Sequence, residues 1–503
     1  MPANGGSVPR VGVSGTISFN SSATLTVPIL GSIRTIRDFT EGPSLLVPSI
    51  QNMIKINSTA NGGVSMSRLW LDNITTTEFA FIPLNSTGAS PPTVNNQTVN
   101  FTAGDYVFYA DYNYPQLTQL NASTVLNPGS QGLIGQQPDQ TTSLQFLSYT
   151  GKLLAGAWRF LTYFGRDSMI ATLLLQPVLS DQAIEAVIGA VLERINNTDG
   201  SVCHEETIGD YATYLNGKMN MTSTDPSYSY IMIDSDYYLP ILMDRYFLQA
   251  PNYTARGAAL LNTNAGHIDP NNTQFTYAQL ANLNAEKLML IAAQYAAPGN
   301  QTIENLAHLK PSQIVGEWRD STYGIGGGRI PYDVNTALMP AALRSIAALS
   351  AAGLYANHSD WATLASKYAQ IWEDTTLDFF SITIPAGEAK SRIGTYVQRS
   401  NFPGPNNTDQ IDGDVKFHAL ALDANNNLSQ VSVMNTDDCF RHFLLTSTTH
   451  QPQLTAFLNQ TANNIRRTFP AGLLTSVGMV VANPAFGTDP VYAANWTTGA
   501  CKF

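Results

Sequence analysis

The hydrophobic period of this chain changes near residue 143, and that change splits it into two parts of different kind. Up to about residue 145, short stretches alternate apolar and polar residues or run β-branched: TISFN, ATLTVPIL, SLLVPSI, VSMSRLWL, TEFAFIPL, TVNFTA and DYVFYADY. Clusters of Asn, Gly, Ser and Pro separate them. A period of two puts every second side chain on one face of a sheet, and many short strands at this spacing predict a β-sandwich. LNPGSQGLIGQQPDQTT, around 126–142, reads as the linker. Beyond it apolar residues recur at spacings of three and four, as on the buried face of a helix.

Helices are read in LQFLSYTGKLLAGAWRFLTYFGRDSMIATLLLQPVL, in SDQAIEAVIGAVLERINN with Ser180 as N-cap, in IMIDSDYYLPILMDRYFLQ, FTYAQLANLNAEKLMLIAAQYA, residues 334–353 and SDWATLASKYAQIWEDTTLDFF. Weaker ones are read in VKFHALAL, DDCFRHFLLT and QPQLTAFLNQTANNIRRTF. Long loops join them. The 503 residues suffice for two domains. The expected fold is α+β and multidomain: a β-sandwich over 1–145, then a helical domain over 146–503. Paired helices with long loops suggest, by architectural analogy, a toroid of helical hairpins.

Charge narrows the partners. The net charge is −11 and only 13% of residues are charged. An acidic chain disfavours nucleic acid and anionic membrane surfaces, and no apolar run is long enough to span a bilayer. A surface carried by Asn, Ser and Thr suits a neutral polymer such as a polysaccharide. Cys203, Cys439 and Cys501 form no disulfide framework and no CxxC pair, so structural zinc is not expected. N-x-S/T sequons are dense, among them Asn20, Asn57, Asn73, Asn96, Asn121, Asn220 and Asn459, which points to a secreted glycoprotein. The opening MPANGGSVPRVGVSG has neither a basic nor an apolar leader segment, and the cytoplasm is the alternative.

Four stretches carry candidate chemistry. In GEWRDSTYGIGGGRIPYD, Glu317 and Asp320 flank Trp318 and Arg319 just before a helix. An indole offers a face for a sugar ring, a guanidinium offers a fork of donors, and an acid can give or take a proton. Acids near a helix dipole and a plain glycine turn are the competing account. In YFGRDSM, Arg166 and Asp167 are either a structural ion pair or the polar floor of a ligand site. DGSVCHEETIGDY supplies Glu205 and Glu206 as sugar-binding candidates; it lacks the second His of a zinc motif, so no metal is expected. In MIDSDYYLPIL, Asp234 reads as a helix cap, and Asp236 with Tyr237 and Tyr238 as a possible sugar contact. The glycine run lacks the Lys-Ser/Thr of a phosphate loop, no GxSxG occurs, and no cofactor is expected.

Taken in order, FGRDSM, DGSVCHEETIGDY, IDSDYYLPIL, GEWRDS with RIPYDVNTALMPAALR, and GLLTSVGMVVANPAF resemble blocks of the six-hairpin (α/α)6-barrel glycosidases. The glycogen-debranching, amylo-α-1,6-glucosidase type is the nearest resemblance, over roughly residues 150–500. It implies an (α/α)6 toroid behind an N-terminal β-sandwich and an inverting hydrolase of neutral oligo- or polysaccharides, α-glucans above all. It also implies Asp320 as general acid with Glu317 competing, Arg166 and Asp167 holding the nonreducing sugar, and Trp318 and Arg319 lining the same subsite. Such an enzyme places its base about 6.5–9.5 Å from its acid. The family's base comes late, whereas this chain has no Glu after Glu388 and its last acid is Asp489. The toroid is therefore expected to be incomplete at its C-terminus, without its last hairpin and its base. The alternatives are a non-catalytic carbohydrate-binding barrel and, less favoured in an acidic chain, a polysaccharide lyase.

Overall fold

The computed structural model describes residues 10–27, 30, 47–84, 88–114, 117–156, 160, 162–248, 253–321, 323–424, 429–445, 451–487, 489 and 492. The fold mixes α and β, with an N-terminal antiparallel sheet followed by many helices. The chain forms two compact units, residues 1–190 with 205–229, and residues 191–204 with 230–503. The boundary read at 145 falls inside the first unit. No helix among the described residues is long and apolar enough to cross a membrane.

Two sheets of the first unit are built from β1 (Val11–Phe19), β2 (Ala23–Thr26), β3 (Lys55–Ser58), β4 (Val64–Leu69), β5 (Thr76–Pro83), β6 (Thr93–Asn95), β7 (Thr98–Phe101) and β8 (Gly104–Tyr112). They make a five-stranded sheet in the order β1-β8-β5-β4-β3 and a three-stranded sheet β2-β7-β6. Alternation does what the sequence predicts: Val64, Met66 and Arg68 of β4 point inward, and Ser65 and Ser67 do not. Val64, Met66 and Phe81 of the larger sheet share one apolar cluster with Val99 and Phe101 of the smaller. Phe81 meets Phe101 edge-on at 4.9 Å between ring centroids. Arg68 closes the inward row as a charge, and Asp210, on a later helix, neutralises it.

Three stretches depart from the sequence reading in this unit. SLLVPSI ends in a short helix, Pro48–Gln51, because proline fits the first helical turn; its residues 44–46 lie outside the described residues. The supposed linker is a run of helical turns started by prolines, with Asn127 capping Ser130, that leads into α1 (Pro138–Leu147). The long helix read from 143 stops at Leu147, and a small hairpin, Ser148–Tyr149 with Lys152–Leu153, turns the chain before α2 (Gly165–Leu175). After that α3 (Asp181–Glu193) begins as predicted, with Ser180 Oγ accepting from the Ala183 N–H at 3.1 Å. α4 (Gly209–Lys218) completes the set.

The second unit is built on α5 (Ser235–Phe247), α6 (Tyr253–Leu261), α7 (Tyr277–Ala296), α8 (Met339–Ala351), α9 (Trp361–Thr375), α10 (Ala386–Ser400), α11 (Asp438–Leu444) and α12 (Gln451–Arg466). α5, α7, α8 and α9 pack on one another, and Trp372 lies 4.5 Å from Tyr295 at their centre. A capping box on Thr276 and Gln279 starts α7. Pro240 sits inside α5 and has no N–H for the carbonyl of Asp236; the Asn284 amide donates to that carbonyl instead, at 3.2 Å. VKFHALAL, read as a helix, is strand: Val415 and Phe417 are buried and Lys416 is exposed, and Val415–His418 pairs with Ser381–Ile384.

Candidate active site

Four carboxyls and one guanidinium converge in the second unit, three of the acids from the starts of helical elements. Asp234 precedes α5, Asp333 precedes a π-helical turn (Val334–Leu338) that runs into α8, and Asp437 precedes α11. Glu317 and Arg319 come from the loop between. All five side chains are buried, Glu317 to 1% exposure. Three of the acids thus stand at helix starts, where the dipole favours negative charge. A π turn at such a place often marks a site whose geometry matters more than regularity.

The loop is held rigidly. The Ile233 N–H donates to Gly316 O at 2.7 Å, which ties Glu317 to the start of α5. A Cβ on residue 324 would stand 1.8 Å from Arg319 O, so only glycine lets the loop fold back over Arg319. Gly326 has φ +61° and supplies the left-handed turn after it. The glycine run is thus a packing device more than a flexible joint. Asp489, the last acid of the chain, reaches the same loop: the Tyr323 hydroxyl donates to its Oδ2 at 2.5 Å.

Arg319 forks onto Asp437, with Nη2 to Oδ1 at 2.8 Å and Nε to Oδ2 at 3.2 Å, and Nη2 also donates to Val481 O at 2.8 Å. Its guanidinium lies over the Trp318 ring, 4.2 Å from the centroid. Among the described residues, both oxygens of Glu317, Asp333 Oδ2, Arg319 Nη1 and Trp318 Nε1 are buried with no hydrogen-bond partner. Native interiors rarely leave such groups, and five in one place call for an explanation. Burial pushes the Glu317 carboxyl well above the usual range, and the charges of Asp333 and Asp437 add to it more than Arg319 offsets. Asp333 is pushed well up by burial and then by Asp437 and Asp234. One guanidinium among four buried acids leaves the charged forms of Glu317 and Asp333 disfavoured.

A second network backs the first. Tyr332 and Asp438 neighbour Asp333 and Asp437 in the chain. The Tyr332 hydroxyl donates to Asp438 Oδ1 at 2.6 Å, His418 Nδ1 lies 2.9 Å from the same oxygen, and Thr461 donates to Oδ2 at 3.0 Å. Burial opposes the charge of Asp438, but His418 and these donors hold its carboxyl below the ordinary range. Tyr332 stacks on His418, 5.1 Å between centroids.

The other predicted residues divide by unit. Asp320 is exposed and Trp318 half-buried on the Glu317 loop. Asp236 turns inward: its Oδ1 accepts from the Val202 N–H at 2.7 Å and its Oδ2 from Lys287 Nζ at 2.6 Å. Both oxygens are thus engaged within the protein, and they tie residue 202 and Lys287 to the start of α5. In the first unit, Glu206 is fully buried on Lys152 and accepts from the Tyr163 N–H at 3.0 Å. That full commitment leaves it a structural anchor. Glu205 is half-buried beside it on a short strand, opposite Ser229. Arg166 is buried in the first turn of α2, 3.8 Å from the half-buried Asp167. Sequence reading did not single out Asp437; its signal is the acidic pair opening DDCFRHF. Cys203 and Cys439 form no disulfide, and no cluster of potential metal ligands occurs among the described residues. No protein-family model and no curated protein matches this chain.

Proposed function

We propose that this chain is a glycoside hydrolase of the six-hairpin kind, inverting, acting on a neutral oligo- or polysaccharide with α-glucans favoured. The single observation that carries this reading is the buried Glu317–Asp333–Asp437–Arg319 cluster beside Trp318. An inverting hydrolase needs one carboxyl that keeps its proton and one that stays ionised. Burial and like charges raise the Glu317 carboxyl well above its ordinary range, and Arg319 forks onto Asp437. In this reading Glu317 protonates the leaving oxygen, Asp437 activates water, and Trp318 faces the sugar. Asp320, the acid that the family resemblance implies, faces solvent three residues away and is the rival donor. An (α/α)6 toroid would account for acids at three helix starts meeting in one cluster.

Reducing-sugar release from a panel of α- and β-glucans tests this. E317Q and D437N should each lower turnover by about 10²–10⁴, the usual worth of a general acid or base, while sugar binding persists. If D320N alone does so, the donor is Asp320; full turnover in all three sinks the hydrolase reading. The near-complete burial of Glu317 and Asp333 favours one second reading, a sugar-binding protein without turnover. Glucan binding with no product from the unmutated chain would establish it.

A further inference from the structure

Asparagine does two separate jobs in this chain. The buried asparagines (Asn216, Asn272, Asn284, Asn335, Asn435, Asn464 and Asn483) each donate their amide to backbone carbonyls, and none begins an N-x-S/T sequon. The sequon asparagines among the described residues are exposed or half-buried, and none is buried. Three of them have positive φ, Asn96 among them at +54°, and two of the three are followed by an exposed apolar side chain. Asn73 and Asn220 both occupy exposed turns at φ +59°, and neither amide donates to another described residue. Each is followed by a large apolar side chain left in water. Ile74 is 76% exposed and Met221 46% exposed, with Met219 at 62% on the other side of Asn220. A left-handed turn accounts for asparagine at these positions. Thr75 is buried and its hydroxyl donates to Asp72 at 2.6 Å, but the turn accounts neither for Thr222 nor for apolar chains kept at the surface.

We propose that Asn73 and Asn220 are N-glycosylated, and that the inner sugars of each glycan cover Ile74 and the Met219–Met221 pair. The donor is a lipid-linked oligosaccharide pyrophosphate. The amide Nδ2 attacks C1 of the first sugar, the C1–O bond breaks, the lipid pyrophosphate leaves with the bonding electrons, and the amide loses one proton. The apolar faces of the sugar rings then take the place of water against Ile74, Met219 and Met221. This inference is independent of the hydrolase reading.

The test is site mapping on the protein isolated from its own cells. Peptide-N-glycosidase in heavy-oxygen water converts each glycosylated Asn to labelled Asp. The expected result is label at residues 73 and 220; unlabelled Asn at both overturns the proposal. A second measurement needs no folded product. The full chain, translated behind a cleavable leader into microsomes, should lose one glycan's mass for N73Q and one for N220Q. An unchanged glycan count in both variants overturns it equally. Cover over the apolar chains has its own readout: enzymatic removal of the glycans should increase binding of a hydrophobic dye, and I74S with M219S and M221S should abolish that increase. A dye signal that does not rise on deglycosylation overturns the covering role.

Discussion

The buried acids of the second unit make a prediction about stability that needs no substrate. Burial and neighbouring carboxylates raise Glu317 and Asp333 well above their ordinary range, and both are expected to carry protons in the fold. In the unfolded chain they ionise near their ordinary values of about 4. Their stabilising contribution is therefore complete below pH ~4 and is lost as the pH rises towards their folded values. Each proton held by the fold and not by the unfolded chain costs about 1.4 kcal/mol per pH unit, so the pair contributes a slope of about −2.7 kcal/mol per pH unit. E317Q or D333N replaces a titrating group with a neutral one of nearly the same shape. Either should halve that contribution to about −1.4 kcal/mol per pH unit, and the double variant should remove it. Denaturant unfolding of the unmutated chain and the three variants at pH 5, 6 and 7 gives the slopes directly. Parallel slopes in all four proteins would refute the claim that these carboxyls carry protons in the fold.

Two further outcomes follow from the same loop. R319M leaves Asp437 buried without its counter-charge and should cost about 3–5 kcal/mol, seen as a fall in the denaturation midpoint of the second unit; R319K, which keeps a charge but not the fork, should fall between. G324A forces a Cβ against Arg319 O and should destabilise by about 1–3 kcal/mol or more. G394A, on the helical face of α10 with nothing near its added carbon, should instead gain about 0.5–1 kcal/mol, and thermal unfolding separates the two.

Local patterns were legible in the sequence where one interaction dominated. Alternation placed β4, β5 and β8, and the Ser180 cap and the apolar face placed α3. Legibility failed where partners distant in sequence decided the outcome. Lys152–Leu153 pairs back on Ser148–Tyr149 although its residues fit a helical spacing, and Val415–His418 is strand because Ser381–Ile384 lies beside it. α10 escaped notice because AGEAKSRIGTYVQRS buries only Ala389 and Ile393. At the site, the GEWRDS loop stood out by composition, but composition could not say which acid faces inward. Glu317 is enclosed and Asp320 is not, a distinction made by Asp333 and Asp437, which are 16 and 120 residues further along the chain. Asp236 looked like a ligand for the same reason that it is a strut: a carboxylate in apolar company must have partners, and sequence does not show that Lys287 and Val202 are those partners.

The neighbouring pairs Tyr332–Asp333 and Asp437–Asp438 have a consequence for anyone cutting or permuting this chain. The same two dipeptides serve both networks, so the carboxyl cluster cannot be assembled without also closing the Tyr332–His418–Asp438 contact. A fragment ending before residue 437 would leave Arg319 buried without the carboxylate and the Val481 carbonyl it donates to, and Tyr332 with His418 Nδ1 in place of Asp438. Supplying residues 430–487 as a separate piece should restore both at once or neither, so complementation between fragments should be all-or-none.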